Sequence, residues 1–337
     1  MIGKSKKMLA LDIGSHSIKA LEVVASGPRL VLTGFAYAEI PEEADRFDVL
    51  RRVVHENYFR GHSVVSAVSG RNVIVRFVPM QKMSPEELKS AIRFEADKYI
   101  PFGVDEVQLD CAKVAEIPAT NEVKVLLVAV KKTLIDEQYA LLREVGLVPA
   151  MIDVDAFALG NAFFMSSHGQ DPEKVTALVD VGSNKTSITI VEKGVVHFAR
   201  EVYVAGNDFS ENIARKLSVN PYEVDQLKRE PGEKVTEMRE AVQPAIDDLA
   251  NEIALSFDFF ENESEKVVSN IYLSGGGALL PGLDESFAAA LGKPTSLWNP
   301  VEVLENRVGG QAGEKLTRDA GQFAISVGLA SRVLGVR

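Results

Sequence analysis

Apolar residues along this chain fall into two periods. Short runs such as LALDI, from residue 9, and VKVLLVAV, ending at Val130, have the length and density of buried strands. Ile18, Ala20 and Val23 mark a second strand after the first run, and Ile188 and Ile190 do the same much later. Helical spacing takes over in SPEELKSAIRFEADKYIPF, residues 84–102, where Leu88, Ala91, Ile92, Ala96 and Tyr99 share a face. Ser84 is its expected cap, Pro85 suits its first turn, Glu87 completes a capping box and Pro101 lies beyond its end. Two strand-like runs follow, VQLDCAKVAEI and EVKVLLVAV, joined by the turn PATN; KKTLIDEQYALLREVG is then a second amphipathic helix closed by Gly146. These predict an inserted α/β unit of about 70 residues. The run at 233–263 predicts two amphipathic helices broken at Pro244, packed on a lobe rather than paired in a coiled coil.

A weak internal repeat gives this pattern a direction. ALDIGSHSIKALEVV, residues 10–24, lies over LVDVGSNKTSITIVE, residues 178–192: each copy runs apolar strand, Asp, aliphatic, Gly, Ser, polar residues, strand. Either copy alone reads as an ordinary Asp-Gly turn between two strands. The pair reads as more. Gly14 and Gly182 let backbone N–H groups come close to an anion, and Ser15 and Ser183 add hydroxyl donors. Asp12 and Asp180, at the strand ends and free of the core, can hold a hydrated divalent cation or orient a water. Two such hairpins facing each other would grip a phosphate chain.

A third element supports this. NIYLSGGGALLPGL, residues 270–283, predicts a buried strand, a loop of Gly275, Gly276 and Gly277, and a helix start aimed at a phosphate or nearby sugar. Neither GxGxxG at a first strand–helix junction nor GxxxxGK[ST] occurs, which removes the Rossmann and P-loop readings.

Composition narrows the partners. With Lys plus Arg 37 against Asp plus Glu 48, the net charge of −11 gives a nucleic-acid backbone no general electrostatic support, so no nucleic-acid partner is expected. Cys111, the single cysteine, excludes an internal disulfide and a cysteine-based zinc site, fits a reducing cytosol and reads as a small buried hydrophobe. His55, His62, His168 and His197 show no ligand spacing. The start, MIGKSKKMLALDIG, is interrupted by Asp12 too early for a signal peptide, and no run approaches a spanning helix, so no transmembrane insertion is expected.

The order of hairpin, hairpin and triple-glycine loop resembles the actin, sugar kinase and heat-shock chaperone superfamily. Within it, 84–102 and the ending FAISVGLASRVLG resemble the type IV pilus assembly PilM family, relatives of the division protein FtsA. Further similarity lies in VAGNDFSENIARKL at 204–217 and SVNPYEVDQLKRE at 218–230. The resemblance implies a bilobed actin-like α/β fold, a duplicated ribonuclease H-like unit with an FtsA/PilM-type inserted subdomain. Residues 1–76 and 149–175 would form the first lobe, 77–148 the insertion, 176–320 the second lobe, and 321–337 a helix returning to the first.

It also implies cofactors, ATP and Mg²⁺. Asp12 and Asp180 would act around the metal and the hydrolytic water. Gly14, Ser15, Lys19, Gly182, Ser183 and Asn184 would contact phosphates; Gly206, Asn207, Lys228, Gly275 and Gly276 would line the adenosine pocket. Lys19 alone reads equally as an exposed strand lysine. Asp155 falls where hydrolysing relatives keep a Glu or Gln that orients water, although an Asp there also suits a helix cap. His16, Asn184 and Lys185 depart from the superfamily pattern, so slow hydrolysis or none is expected, with ATP as a clamp between lobes. The resemblance further implies a cytosolic adaptor that captures the N-terminal cytoplasmic peptide of a PilN-type inner-membrane protein in a groove beside the insertion, with self-association as a further property. An FtsA-like membrane-tethered filament would need a C-terminal amphipathic anchor, yet the last residues, with Arg332 and Arg337, read as a domain-closing helix. A small-molecule kinase would need a substrate base that no motif supplies.

Overall fold

The computed structural model describes residues 7–118, 120–171 and 174–335, so Arg337 and the lysines of the N-terminal stretch before Lys7 lie outside it. β1 (Lys7–Ile13) and β2 (Ser17–Ser26) pair antiparallel with Asp12 opposite Lys19, and β3 (Arg29–Glu39) extends the sheet from β2. α1 (Arg46–Glu56) starts at Asp45, whose carboxylate accepts the Phe47 N–H, and buries Val49, Leu50, Val53 and Val54. β4 (Ser63–Val68) then lies parallel to β1.

The chain next leaves the sheet. β5 (Val73–Gln81), α2 (Pro85–Glu95), β6 (Val107–Ile117) and β7 (Glu122–Lys131) build a three-stranded antiparallel sheet in the order β5-β7-β6, covered by the helix. The capping box expected at Ser84 and Glu87 forms in both directions, and Leu88 and Ile92 enter a core with Val107, Val125 and Leu127. β5 begins four residues before the expected junction at 76/77, because its alternating face already pairs with β7 from Val73. α3 (Lys132–Glu144) follows β7 directly, and β8 (Val148–Val154) rejoins the first sheet beside β4. α4 (Asp155–Met165) comes next.

The second lobe repeats the first. β9 (Thr176–Val181), β10 (Thr186–Glu192) and β11 (Val195–Val202) form an antiparallel meander, α5 (Gly206–Leu217), α6 (Pro221–Arg229) and α7 (Val235–Ser264) follow, then β12 (Asn270–Ser274), α8 (Leu283–Leu291) and β13 (Thr295–Leu297). The sheet order β11-β10-β9-β12-β13 matches β3-β2-β1-β4-β8 of the first lobe strand for strand. β14 (Leu304–Asn306) is added parallel to β3, so the chain rejoins the first sheet ahead of the expected 321. α9 (Gly310–Arg318) and α10 (Ala324–Ser331) close the fold.

Two sequence expectations are corrected. The helical pair at 233–263 is one 30-residue helix, α7, running through Pro244. Pro244 is exposed, where the carbonyl it leaves unpaired can meet water, and a buried stripe from Met238 through Ile246 and Ile253 to Phe260 holds both halves against the lobe. Alanines 241, 245 and 250 keep that stripe continuous. The triple glycine also does not open a helix; a tight turn over Gly277–Leu279 intervenes and α8 starts only at Leu283, after Pro281.

α4 and α10 are the seam between lobes. Ala158, Leu159 and Phe163 of α4 and Phe323 and Val327 near and in α10 share one core with Leu178, Val191 and Val196 of the second sheet. α10 is buried from Ser326 to Ser331, so it is not a free amphipathic anchor. Among the described residues no helix is long and apolar enough to cross a membrane.

Candidate functional site

The two hairpins face each other across the cleft between lobes. In each, the glycine N–H closes the turn on a carbonyl three residues on, Gly14 to Ser17 and Gly182 to Lys185, both at 3.0 Å. The Ser15 and Ser183 hydroxyls stand 3.5 Å apart. At that spacing they touch each other, so an anion accepting from both requires them to rotate or the lobes to part. His16, the bulky departure, points its exposed side chain away from the core while its carbonyl accepts the Ile40 N–H.

Asp12 and Asp180 end β1 and β9 as expected, but each is only 8% exposed, so the cleft walls bury them rather than leave them at a free strand end. Lys19 is likewise no exposed strand lysine. Its Nζ lies 2.9 Å from Asp12 Oδ2; burial disfavours its charge, but Asp12, and then Asp180, outweigh that and raise its pKa. Asp180 forms no ion pair among the described residues. Burial, opposed by Lys19 and reinforced by Asp12 and Asp155, pushes its carboxyl up to about 7. It is a carboxylate short of a cation.

That shift carries a pH signature. A folded value near 7 against the ordinary 3.8 means the folded chain holds this proton more tightly than the unfolded one, so its stabilisation is full below pH 3.8 and lost as pH rises through 7. Asp180→Asn removes the loss. Relative to the parent chain, the variant should gain stability from pH 4 upward, by a few kcal/mol once titration is complete. Urea unfolding at pH 5 and pH 8 measures it; a difference that does not grow between them contradicts the buried, uncompensated carboxylate.

The remaining predicted residues divide. α5 starts against the second hairpin: the Gly206 N–H donates to Gly182 O and the Asn207 N–H to Ser183 O, and the Asn207 amide also donates to Asn184 Oδ1 at 2.7 Å. Gly275 sits on the other side of the same strand end with φ +89°; a Cβ there would meet Val181 O at 2.3 Å and Asp180 Oδ1 at 2.7 Å. Gly276 follows it with only the Gln322 side chain near, at 3.9 Å. Lys228 stands further out on α6, donating to Ser210, which donates to the Gly206 carbonyl; burial lowers its pKa.

Asp155 opens α4 but does not cap it, since the helix has no side-chain cap. Its carboxylate instead lies 3.3 Å from Lys185 Nζ, which also lies 2.6 Å from Glu201 Oε1. Burial raises the pKa of Asp155, opposed by Lys185. Lys185 was legible as a departure in the second hairpin. Glu201 was not, because nothing in the spacing of β11 marks it.

A groove of about 570 Å³ runs between the inserted unit and the first lobe. Leu109, Val128, Ile152 and Phe157 give it an apolar lining, with Lys89, Arg93 and Lys132 among its charged residues. β6 and β8, both edge strands of their sheets, each supply a stretch of it, 107–111 and 152–154. Cys111 lies here half-buried rather than buried, its thiol pKa raised by desolvation and by Asp110.

The family described as Type IV pilus assembly protein PilM matches residues 10–334. The chain belongs to the PilM family. A solved structure described as the PilM-PilN type IV pilus biogenesis complex is 28% identical, with a TM-score of 0.83 over 97% of this chain and 98% of that one. MreB5 of Spiroplasma citri bound to AMPPNP is 12% identical, with a TM-score of 0.54 over 96% of this chain and 95% of its own, a likeness of fold. The ethanolamine utilization protein EutJ of Escherichia coli (strain K12) is 29% identical over 110 residues, 33% of this chain and 36% of EutJ. The fold is thus actin-like, as the repeat and glycine loop led us to expect. Among the described residues no group of three or more His, Cys, Asp or Glu side chains is arranged to hold a metal. A divalent cation beside Asp180 would therefore take most of its ligands from water and from phosphate oxygens.

Proposed function

We propose that this PilM-family chain is a nucleotide-binding adaptor of type IV pilus assembly, which takes the N-terminal cytoplasmic segment of a PilN-type inner-membrane protein into the groove. The observation that carries the partner reading is the groove between two edge strands, β6 and β8, where backbone groups such as Cys111 N–H and Val154 N–H are met by the side chain of the preceding residue. An extended peptide laid there can hydrogen-bond to the backbone of β6 or β8 while its side chains reach Leu109, Ile152 and Phe157. Such a partner would hold the chain at the inner membrane.

Mg·ATP is the proposed cleft ligand. Gly14, Ser15, Gly182, Ser183 and Asn184 would receive the phosphates with Lys19 as the near cation, and Asn207, Gly276 and the Lys228 side would face the nucleoside. Mg²⁺ held through Asp12 and Asp180 would neutralise charge that Asp180 now bears without an ion pair. Asp155, occupied by Lys185, is poorly placed to activate water, which favours binding with slow turnover.

Cys111 offers a direct test of the groove, because it is the only cysteine in the chain. A synthetic PilN-type N-terminal peptide is expected to slow maleimide labelling of Cys111 at least tenfold at saturation. Leu109→Glu, which places a carboxylate in the apolar lining, should weaken that peptide by about tenfold or more. Unchanged labelling at peptide concentrations that otherwise bind would move the partner site elsewhere.

A further inference from the structure

Lys185 joins three parts of the molecule that no motif connects. Its carbonyl accepts the Gly182 N–H that closes the second hairpin, so its backbone is part of the proposed phosphate turn. Its ammonium reaches across the cleft to Asp155 at 3.3 Å, at the start of α4 in the first lobe. The same ammonium holds Glu201 at 2.6 Å, and Glu201 Oε1 also accepts the Gly70 N–H at 3.1 Å, where the chain turns toward the inserted unit.

Each first-lobe end of this cluster borders the groove. Val154 precedes Asp155 and Phe157 lies in the same turn of α4; both line it. Val68 lines it two residues before Gly70. Beyond Gly70, the Arg71 guanidinium rests over the Tyr203 ring of the second lobe at 4.6 Å, so the approach to the insertion is fixed to that lobe twice. Separating or rotating the lobes pulls Asp155 and Gly70 away from Lys185 and Glu201. It must then shift Val154, Phe157 or Val68, or break the ion pairs.

We propose that Lys185 is a positioning residue that couples occupancy of the interlobe cleft to the shape of the peptide groove. This inference rests on the two binding sites proposed above and adds the connection between them. A nucleotide that sets the distance between the hairpins sets the position of Lys185 through the Gly182 turn; Lys185 sets Asp155 and, through Glu201, Gly70; those two ends fix the groove wall. By linkage, peptide in the groove must change nucleotide affinity by the same factor as nucleotide changes peptide affinity.

A second ion pair across the cleft, distant from the groove, supplies a control. Arg229 of α6 meets Glu39 of β3 at 3.2 Å, but both are solvent-exposed and neither lies beside the groove. If closure by any charge pair sufficed, Arg229 would matter as much as Lys185.

The test measures the dissociation constant of a fluorescein-labelled PilN-type peptide by anisotropy, with and without saturating AMP-PNP and Mg²⁺, and compares the ratio across variants. The full-length parent chain is expected to show a ratio of about tenfold, in either direction. Lys185→Met should bring it within twofold of unity, Lys185→Arg should restore part of it, and Arg229→Ala should leave it at the parental value. Glu201→Gln, which preserves shape, should also lower it and serves if Lys185→Met does not fold. A parental ratio in Lys185→Met and Glu201→Gln overturns the proposal, as does a ratio of one in a parent chain that binds both ligands. A parent chain that binds no AMP-PNP or no peptide instead overturns the function proposed above, and this coupling falls with it.

Discussion

Gly328→Ala should lower the unfolding free energy by about 3 kcal/mol, the largest effect expected of any single added methyl group in this chain. Gly328 lies where α10 crosses α4, and a Cβ built on it would fall 1.7 Å from the Ala158 carbonyl oxygen and 2.9 Å from its Cα. The obstacle is backbone, not the movable end of a side chain. Both helices are buried on several sides, so they can separate only by opening the core that Phe323, Val327 and Phe163 share with Leu178. The cost is therefore concentrated at the seam between lobes. Urea unfolding should show a lower midpoint with an unchanged slope; a change within 0.5 kcal/mol, the range of ordinary surface substitutions, would show that the seam yields.

Lys19→Met is expected to cost about as much, some 3 kcal/mol at neutral pH, for an electrostatic reason. Lys19 and Asp12 are nearly buried, and the same ammonium is the main charge opposing burial at Asp180. Without it Asp12 and Asp180 share a cleft in which only the weaker influence of Lys185 opposes the charge at Asp180. Methionine fills the volume, so packing contributes little. The sign with pH separates this from a packing defect. Protonation of Asp180 relieves the repulsion, so the deficit should be full at alkaline pH and shrink as pH falls toward and through 7. A deficit independent of pH would place the cost in packing.

The fold was legible in the sequence wherever one element carried its own signature. The two Asp-aliphatic-Gly-Ser hairpins could be aligned because the turn needs the same glycine in both copies, and the identical strand orders of the two sheets follow from that duplication. The inserted unit was legible because Ser84 and Glu87 satisfy each other locally. Legibility ended where contacts span the chain. β14 is three residues long, and nothing in LEN indicates that it pairs with β3. Pro244 reads as a break until the buried stripe on either side is seen packed against the second sheet. Gly328 sits in FAISVGLAS, which is apolar all round and so gives no face and no neighbour.

The site divides in the same way. Asp12, Lys19 and Asp180 could be named from position, yet their burial and the missing cation at Asp180 depend on how closely the lobes meet. Lys185 stood out as an odd residue in a hairpin, while its partners lie 30 residues upstream and 16 downstream, on different lobes. Charge pairing at such separations leaves no periodicity to read.

In the proposed function two carboxylate-bearing hairpins close on one nucleotide, with Lys19 and a divalent cation balancing the charge. Calorimetric titration of the purified chain with ATP in the presence of Mg²⁺, repeated with Lys19→Met, is the decisive measurement. Saturable binding at one site per chain is expected, weakened about a hundredfold or more in the variant, a loss of roughly 3 kcal/mol. No binding to the parent chain, or equal binding to both, would contradict the proposed function.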